Sequence, residues 1–482
     1  MFQTVRRWWD RPCGFREVLV LALPLIISTL SWTLMQFTDR LFLLWYSEDA
    51  VAAALPAIAV SFTVICFPLG IASYVNTFVA QYYGAGRPER IGVAVWQGVF
   101  VSLLAVPPVL ATIPLAPWVF AAAGHPASIV ALEVDYYQAV SWGIGSMVMS
   151  AALSSFFTGR GDVRTVMLVD TFAAALNVVL DYAWIFGEWG FPEWGISGAA
   201  WATVVAMWCR PLIYMLLWLR PRFRTTYGTI AGCRFDRELF GRLLWFGTPN
   251  GLQLFIEMGG FTLYLLLIGQ LGTKELAATS LAFNVNSLAF MPVYGIGLAT
   301  ATLVGQRLGD NRPDLAARAT WSAFELAAGL MAIVGAIYLF APDWLLAAHA
   351  QGMGREEFAE LRETTVILLR FVAFYCLFDA MNIIFASAIK GAGDTRFVLM
   401  ATLVLAAVPF VMAWVGIRFF GYGLYWSWVA VTVWVCLLGV TFWWRFVEGR
   451  WRKMRVIEAP PEALAQPLGE LTTQPLPQIE PV

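Results

Sequence analysis

The chain has 482 residues, of which 60% are hydrophobic, 15% aromatic and 13% charged, with a formal net charge of −1. Soluble domains carry about 25% charged residues, so a soluble globule is excluded, and the near-neutral balance argues against nucleic acid as a partner. Six scattered cysteines and two distant histidines, His125 and His349, exclude a disulfide framework and a histidine metal centre.

About 20 apolar residues suffice to cross a bilayer. Twelve runs reach that length, near 17–45, 51–83, 91–114, 131–157, 165–187, 195–219, 239–268, 275–306, 316–341, 363–389, 397–417 and 421–445. The first is too long for a cleavable signal, lacks an A-x-A-like site and contains Asp39. Basic residues fill alternate connections. They begin with Arg6, Arg7, Arg11 and Arg16, and continue with Arg87 and Arg90, then Arg160 and Arg164. Further along come Arg220 to Arg242, then Arg307, Arg312 and Arg318, then Lys390 and Arg396, then Arg445 to Arg455. The other connections carry Glu48, Asp49, Glu133, Asp135, Glu188, Glu193, Glu275 and a glutamate cluster up to Glu363. The positive-inside rule therefore puts both termini in the cytoplasm. This predicts a cytoplasmic segment 1–16, an N-lobe 17–219, a basic linker 220–238, a C-lobe 239–445 and a cytoplasmic tail 446–482. The tail, rich in Pro and Gln from about residue 457, reads as disordered and without chemistry.

The halves echo one another. Pro24 answers Pro249, Ala52-Ala53 answers Ala277-Ala278, and Gln81-x-x-Gly84 answers Gln306-x-x-Gly309, each at an offset of 225. Gly159-Arg-Gly-Asp-Val-Arg164 is answered by Gly391-Ala-Gly-Asp-Thr-Arg396 at an offset of 232. Six spans per half is an even number, so both halves face the same way. The fold class predicted is an all-α membrane protein, with twelve transmembrane helices in two six-helix lobes related by a pseudo-twofold along the membrane normal. Transporters so built bind substrate between the halves.

Asp39, Asp181, Glu257 and Asp379 fall inside predicted spans. Each costs about 2.5–3.5 kcal/mol to insert at a helix centre, which marks intramembrane acids as functional candidates. Asn177 and Asp181 share a helix face at i, i+4, as do Ala199 and Thr203, and Tyr375 and Asp379. Oxygen ligands suit a hard alkali cation, whereas a desolvated carboxylate suits a proton. Pro24 and Pro249 are hinge candidates, because proline removes a helix hydrogen bond. Arg40 reads as a snorkelling residue, Arg210 and Arg370 as anchors or ion-pair partners, and Asp170 and Glu325 as secondary acids. No phosphate-binding Gly-x-x-x-x-Gly-Lys loop occurs, and no Ser/His/Asp or Cys/His set, so the chain reads as a non-enzyme without cofactor. Gly421-Tyr-Gly423 lacks the rest of a potassium filter and reads as a turn.

The twelve spans, the paired Gln-x-x-Gly and Gly-x-Gly-Asp-x-Arg motifs, and Gly195-x-x-Gly198-Ala-Ala-x-Ala-Thr203 closely resemble the multidrug and toxic compound extrusion (MATE) transporters over about residues 15–450. The resemblance is to the bacterial drug/cation antiporter branch. It implies an inner-membrane antiporter that expels drugs or toxic metabolites as H⁺ or Na⁺ enters. It further implies an N-lobe cation site of Asp39, Asn177, Asp181, Thr203 and the Ala199 carbonyl, and a C-lobe site of Glu257, Tyr375 and Asp379. Na⁺ would sit at one or the other. Acids and abundant aromatics favour amphipathic organic cations as substrates. The expected partners are such small molecules and the bilayer, with the protein acting as a monomer. The alternative is a lipid or lipid-linked sugar flippase of the same superfamily, whose cavity should offer several arginines to a pyrophosphate.

Overall fold

The computed structural model describes residue 9 and residues 11–122, 125–346 and 355–458, with the backbone alone for 355–358. Twelve helices long and apolar enough to cross a membrane follow one another among these residues. They are α1 (Phe15–Tyr46), α2 (Glu48–Gly84), α3 (Pro88–Ala122), α4 (Ala127–Gly159), α5 (Val163–Phe186) and α6 (Gly195–Trp218) in the first half. The second half holds α7 (Arg237–Gly269), α8 (Thr273–Gly309), α9 (Pro313–Phe340), α10 (Ala359–Ala392), α11 (Thr395–Phe420) and α12 (Leu424–Glu448). The protein is thus all-helical with two six-helix lobes, and each expected span is present. His349 and the tail beyond Glu458 lie outside the described residues.

Local chemistry sets the ends. Gly187, Gly421 and Gly449 adopt left-handed φ of 72°, 67° and 79°, and these stop α5, α11 and α12. Gly421 thereby makes the turn expected between the last two spans. The Asp236 side chain accepts from the Leu239 amide at 3.1 Å and starts α7. The linker is not bare coil: Pro221–Tyr227 forms a short helix. Arg160 lies over the rings of Phe156 at 3.9 Å and of Phe223 and Tyr227 at 4.8 Å, which pins that helix to α4.

The repeated motifs explain how the lobes meet. Gln81 Nε2 donates to the Gly391 carbonyl at 3.1 Å, and Gln306 Nε2 donates to the Gly159 carbonyl at 2.8 Å. The glutamine of each half therefore holds the Gly-x-Gly-Asp loop of the other. The glycines permit the approach: a Cβ on Gly84 would lie 1.9 Å from the Gln306 carbonyl oxygen, and one on Gly309 2.1 Å from that of Gln81. Asn76 also donates across the interface to Thr302 at 3.0 Å, and Asn250 to the Gly70 carbonyl at 2.7 Å.

These contacts lie at the basic end of the bundle, where the arginine-rich connections gather. Above them is a cavity of about 390 Å³ between the lobes. A wider space of about 1040 Å³ follows toward the acidic end, bounded by α1 from Ile27 to Leu44, by α8 from Asn284 to Met291, and by Leu345. The lobes are thus sealed at the basic end and apart at the other.

Part of the tail is described. Residues up to Glu458 are folded onto the first lobe. The Val456 amide donates to Gln81 Oε1 at 2.9 Å, and Glu458 accepts from Tyr82 at 2.6 Å and pairs with Arg87 and with Arg90 at 3.2 Å. Its partners on the first lobe lie more than 350 residues away in sequence.

Candidate functional site

In the first lobe, α1 delivers Asp39, α5 delivers Asn177 and Asp181, and α6 delivers Ala199 and Thr203, all buried. Glycine makes this meeting tight. A Cβ on Gly198 would lie 2.5 Å from the Trp184 carbonyl oxygen, so α6 presses against the end of α5. Asn177 Nδ2 donates to Thr203 Oγ1 at 3.5 Å. The carboxyls of Asp39 and Asp181 face one another, with the Tyr136 ring of α4 beside both. Both oxygens of each acid and Asn177 Oδ1 have no hydrogen-bond partner among the described residues. Buried oxygens without donors are expensive. Such a cluster can share a proton or surround a small hard cation.

In the second lobe, Glu257 of α7 and Tyr375 and Asp379 of α10 line one chamber of about 360 Å³. Its wall is mostly aromatic and apolar, including Phe261, Phe283, Phe290 and Phe410. Gln253 donates to Glu257 at 2.8 Å. Tyr264 Oη, Asn286 Oδ1, Thr402 Oγ1 and Trp434 Nε1 also face this chamber without a partner among the described residues. Glu257 additionally lines the cavity between the lobes, so one carboxylate is shared by two spaces.

None of Asp39, Asp181, Glu257 and Asp379 forms an ion pair with an arginine or lysine among the described residues. The structure therefore brings together each lobe's expected set but keeps the two sets apart. Pro24 and Pro249 lie inside α1 and α7. Among the described residues, no group of three His, Cys, Asp or Glu side chains is placed to hold a metal ion.

Three features were not foreseen from sequence. Tyr136 joins the first-lobe acids, although nothing in span 4 distinguishes it from a core tyrosine. Asp170 and Arg210, read as a secondary acid and an anchor or ion-pair partner, pair at 2.8 Å on the central cavity wall. Tyr214 donates to that aspartate at 2.9 Å, and Ser28 bonds it as well. Opposite charges on adjacent spans 5 and 6 were the signal available. Finally, Lys390, counted with the cytoplasmic connections, also faces this cavity.

The comparisons follow the same geometry. The MatE family model matches residues 24–183 and 249–415, two copies that start at Pro24 and Pro249. A probable multidrug resistance protein NorM of Bradyrhizobium diazoefficiens is 31% identical over 423 residues, covering 87% of this chain and 90% of its own. One of the same name from Rhizobium meliloti is 28% identical over 454 residues, covering 94% and 96%. Among solved structures, a MOP superfamily transporter from Pyrococcus furiosus, described as having a binding pocket of reversed polarity, superposes with a TM-score of 0.83 at 20% identity, over 93% of this chain and 98% of that one. The outward-facing conformation of a multidrug resistance MATE family transporter gives the same TM-score and coverage. A duplicated model laid over two like six-helix lobes leaves one assignment: the chain belongs to the MatE family, the multidrug and toxic compound extrusion transporters.

Proposed function

We propose that the protein is a secondary antiporter of the bacterial inner membrane that exports drugs or toxic metabolites in exchange for H⁺ or Na⁺. Its basic end, with both termini, faces the cytoplasm, and it acts as a monomer. The observation that carries this reading is the cluster of unpartnered oxygens on Asp39, Asp181 and Asn177 in the first lobe. A cation entering from the open acidic end neutralises these acids, and α1 adjusts about Pro24, where the helix lacks one hydrogen bond. Substrate held between the lobes is thereby weakened and leaves outward. Ion and substrate must disfavour one another for exchange to be obligatory. Glu257 and Asp379 offer the second lobe's seat for the ion or for a cationic group of the substrate.

The names of the NorM relatives support efflux of several drugs. The flippase reading wants free arginines in the central cavity, whereas Arg210 there is held by Asp170. The test is efflux from proteoliposomes under sodium and proton gradients imposed separately. One gradient should drive export, and Asp39→Asn and Asp181→Asn should each lower it by about 5- to 150-fold, the range of ordinary coupling energies. Wild-type rates from both variants would refute the role of the cluster.

A further inference from the structure

The central cavity carries four charged side chains, Asp170, Arg210, Glu257 and Lys390. Two of them cancel. Asp170 is bonded by Arg210, Tyr214 and Ser28, so the acid and its arginine neutralise one another's charge. Glu257 keeps one neutral donor, Gln253. Lys390 differs from all of these. Its backbone carbonyl accepts from Tyr74 at 2.8 Å, which fixes the last turn of α10 against the first lobe. Its ammonium has neither hydrogen bond nor ion pair among the described residues, although it feels the charge of Glu257.

A lysine in the last turn of a helix ordinarily serves the helix dipole and reaches out to water or headgroups. Lys390 instead looks into a space closed at its basic end by the Gln81–Gly391 and Gln306–Gly159 bonds. An ammonium offers three donors and strongly prefers an anion in such surroundings. Glu257 sits on the same wall system but beyond ion-pair distance. The cavity therefore presents one free positive and one free negative pole to whatever occupies it.

We propose that Lys390 is the anion-recognising residue of the central cavity, and that its preferred cargo is a zwitterionic amphiphile whose acidic group meets Lys390 while its amine meets Glu257. This rests on the export reading above and narrows its substrate class away from simple organic cations. Specificity of this kind arises from charge complementarity and from the penalty on leaving a pole unmatched.

A matched pair of dyes tests it. Rhodamine 110 carries a free carboxylate beside its cationic ring system, and rhodamine 123 is its methyl ester. Wild-type proteoliposomes should transport both. Lys390→Met should lower rhodamine 110 transport and binding by about tenfold, one lost charge-assisted contact, while rhodamine 123 changes less than about threefold. Lys390→Arg should restore the zwitterion, and Glu257→Gln should weaken both dyes. If Lys390→Met does not fold, Lys390→Gln replaces it, with polarization binding in detergent as the second readout. Equal loss of both dyes, or no loss of either, overturns the proposal. A wild type that moves rhodamine 123 alone overturns it and leaves antiport standing. A wild type that moves neither dye under either gradient overturns both.

Discussion

Asp39 and Asp181 bring four carboxylate oxygens into a buried site where no described residue donates to them. Two acids facing each other without donors favour function over stability, because each would be cheaper as an amide or a solvated ion. Asp39→Asn should therefore raise thermal stability by about 1–2 kcal/mol while lowering coupled efflux by about 5- to 150-fold, measured by fluorescence-detected unfolding beside transport. A variant that lost both would mean that the carboxyl is structural. At this scale the sequence was informative about which residues matter, since an acid within an apolar run stands out by charge alone. It was silent on Tyr136, whose hydroxyl is one of many in the chain. It gave Lys390 only as a topology marker, because the cavity that this helix end also faces exists only in the fold.

The motif pairs belong to the scale of elements. In Gly-x-Gly-Asp the first glycine lies against a neighbouring helix: a Cβ on Gly391 would lie 2.6 Å from the Ala301 carbonyl oxygen. The second glycine takes a positive φ, 85° at Gly161 and 116° at Gly393, which turns the chain from one span into the next. Gln-x-x-Gly places α2 against α8 and reaches across to those loops. Gly84→Ala should destabilise the protein by about 1–3 kcal/mol, because the added methyl meets backbone and not a movable side chain. Gly241→Ala, an exposed position in α7 with open space around the added carbon, should stabilise by about 0.5–1 kcal/mol. Thermal unfolding of the two single variants in the same detergent compares them directly, and equal behaviour would contradict the packing argument. The motifs were legible as repeats, but not their crossing, for nothing in a repeat says whether each copy serves its own half or the other.

Across the whole molecule, the lobes meet at the basic end and separate toward the acidic end, and the last described residues, up to Glu458, reinforce the closed side. Burial opposes the charge of Glu458. The Tyr82 hydroxyl, its own backbone amide and the Arg87 and Arg90 guanidiniums outweigh that effect and hold its carboxyl below the ordinary value of 4.5. A group whose folded pKa is lowered stabilises above its unfolded pKa and loses that contribution as pH falls through the folded one. Glu458→Gln should therefore lower the melting temperature at pH 7, and the gap to wild type should shrink as pH drops below about 4.5. A gap that persisted unchanged at low pH would show that the clasp does not depend on this charge. Because the clasp ties the chain beyond α12 to the end of α2, the same variant should also loosen the closed end, read as faster hydrogen exchange at the backbone amides of the last turn of α2.

Amino-acid order by itself determined the twelve spans, their alternating polarity, the tandem duplication and the identity of the buried acids. Each of these is a property of a segment or of its spacing: hydropathy over some twenty residues, charge at a connection, or a motif repeated at a set offset. Only the tertiary structure decided that Asp39 meets Asp181 beside Tyr136, that Glu257 is shared between two cavities, that Asp170 disarms Arg210, and that Glu458 returns to Arg87 and Arg90. Those pairings depend on how each helix is rotated about its axis and which of eleven similar apolar neighbours it packs against. That choice is made by small residues and shape complementarity summed over the whole bundle, and no local window of sequence contains it.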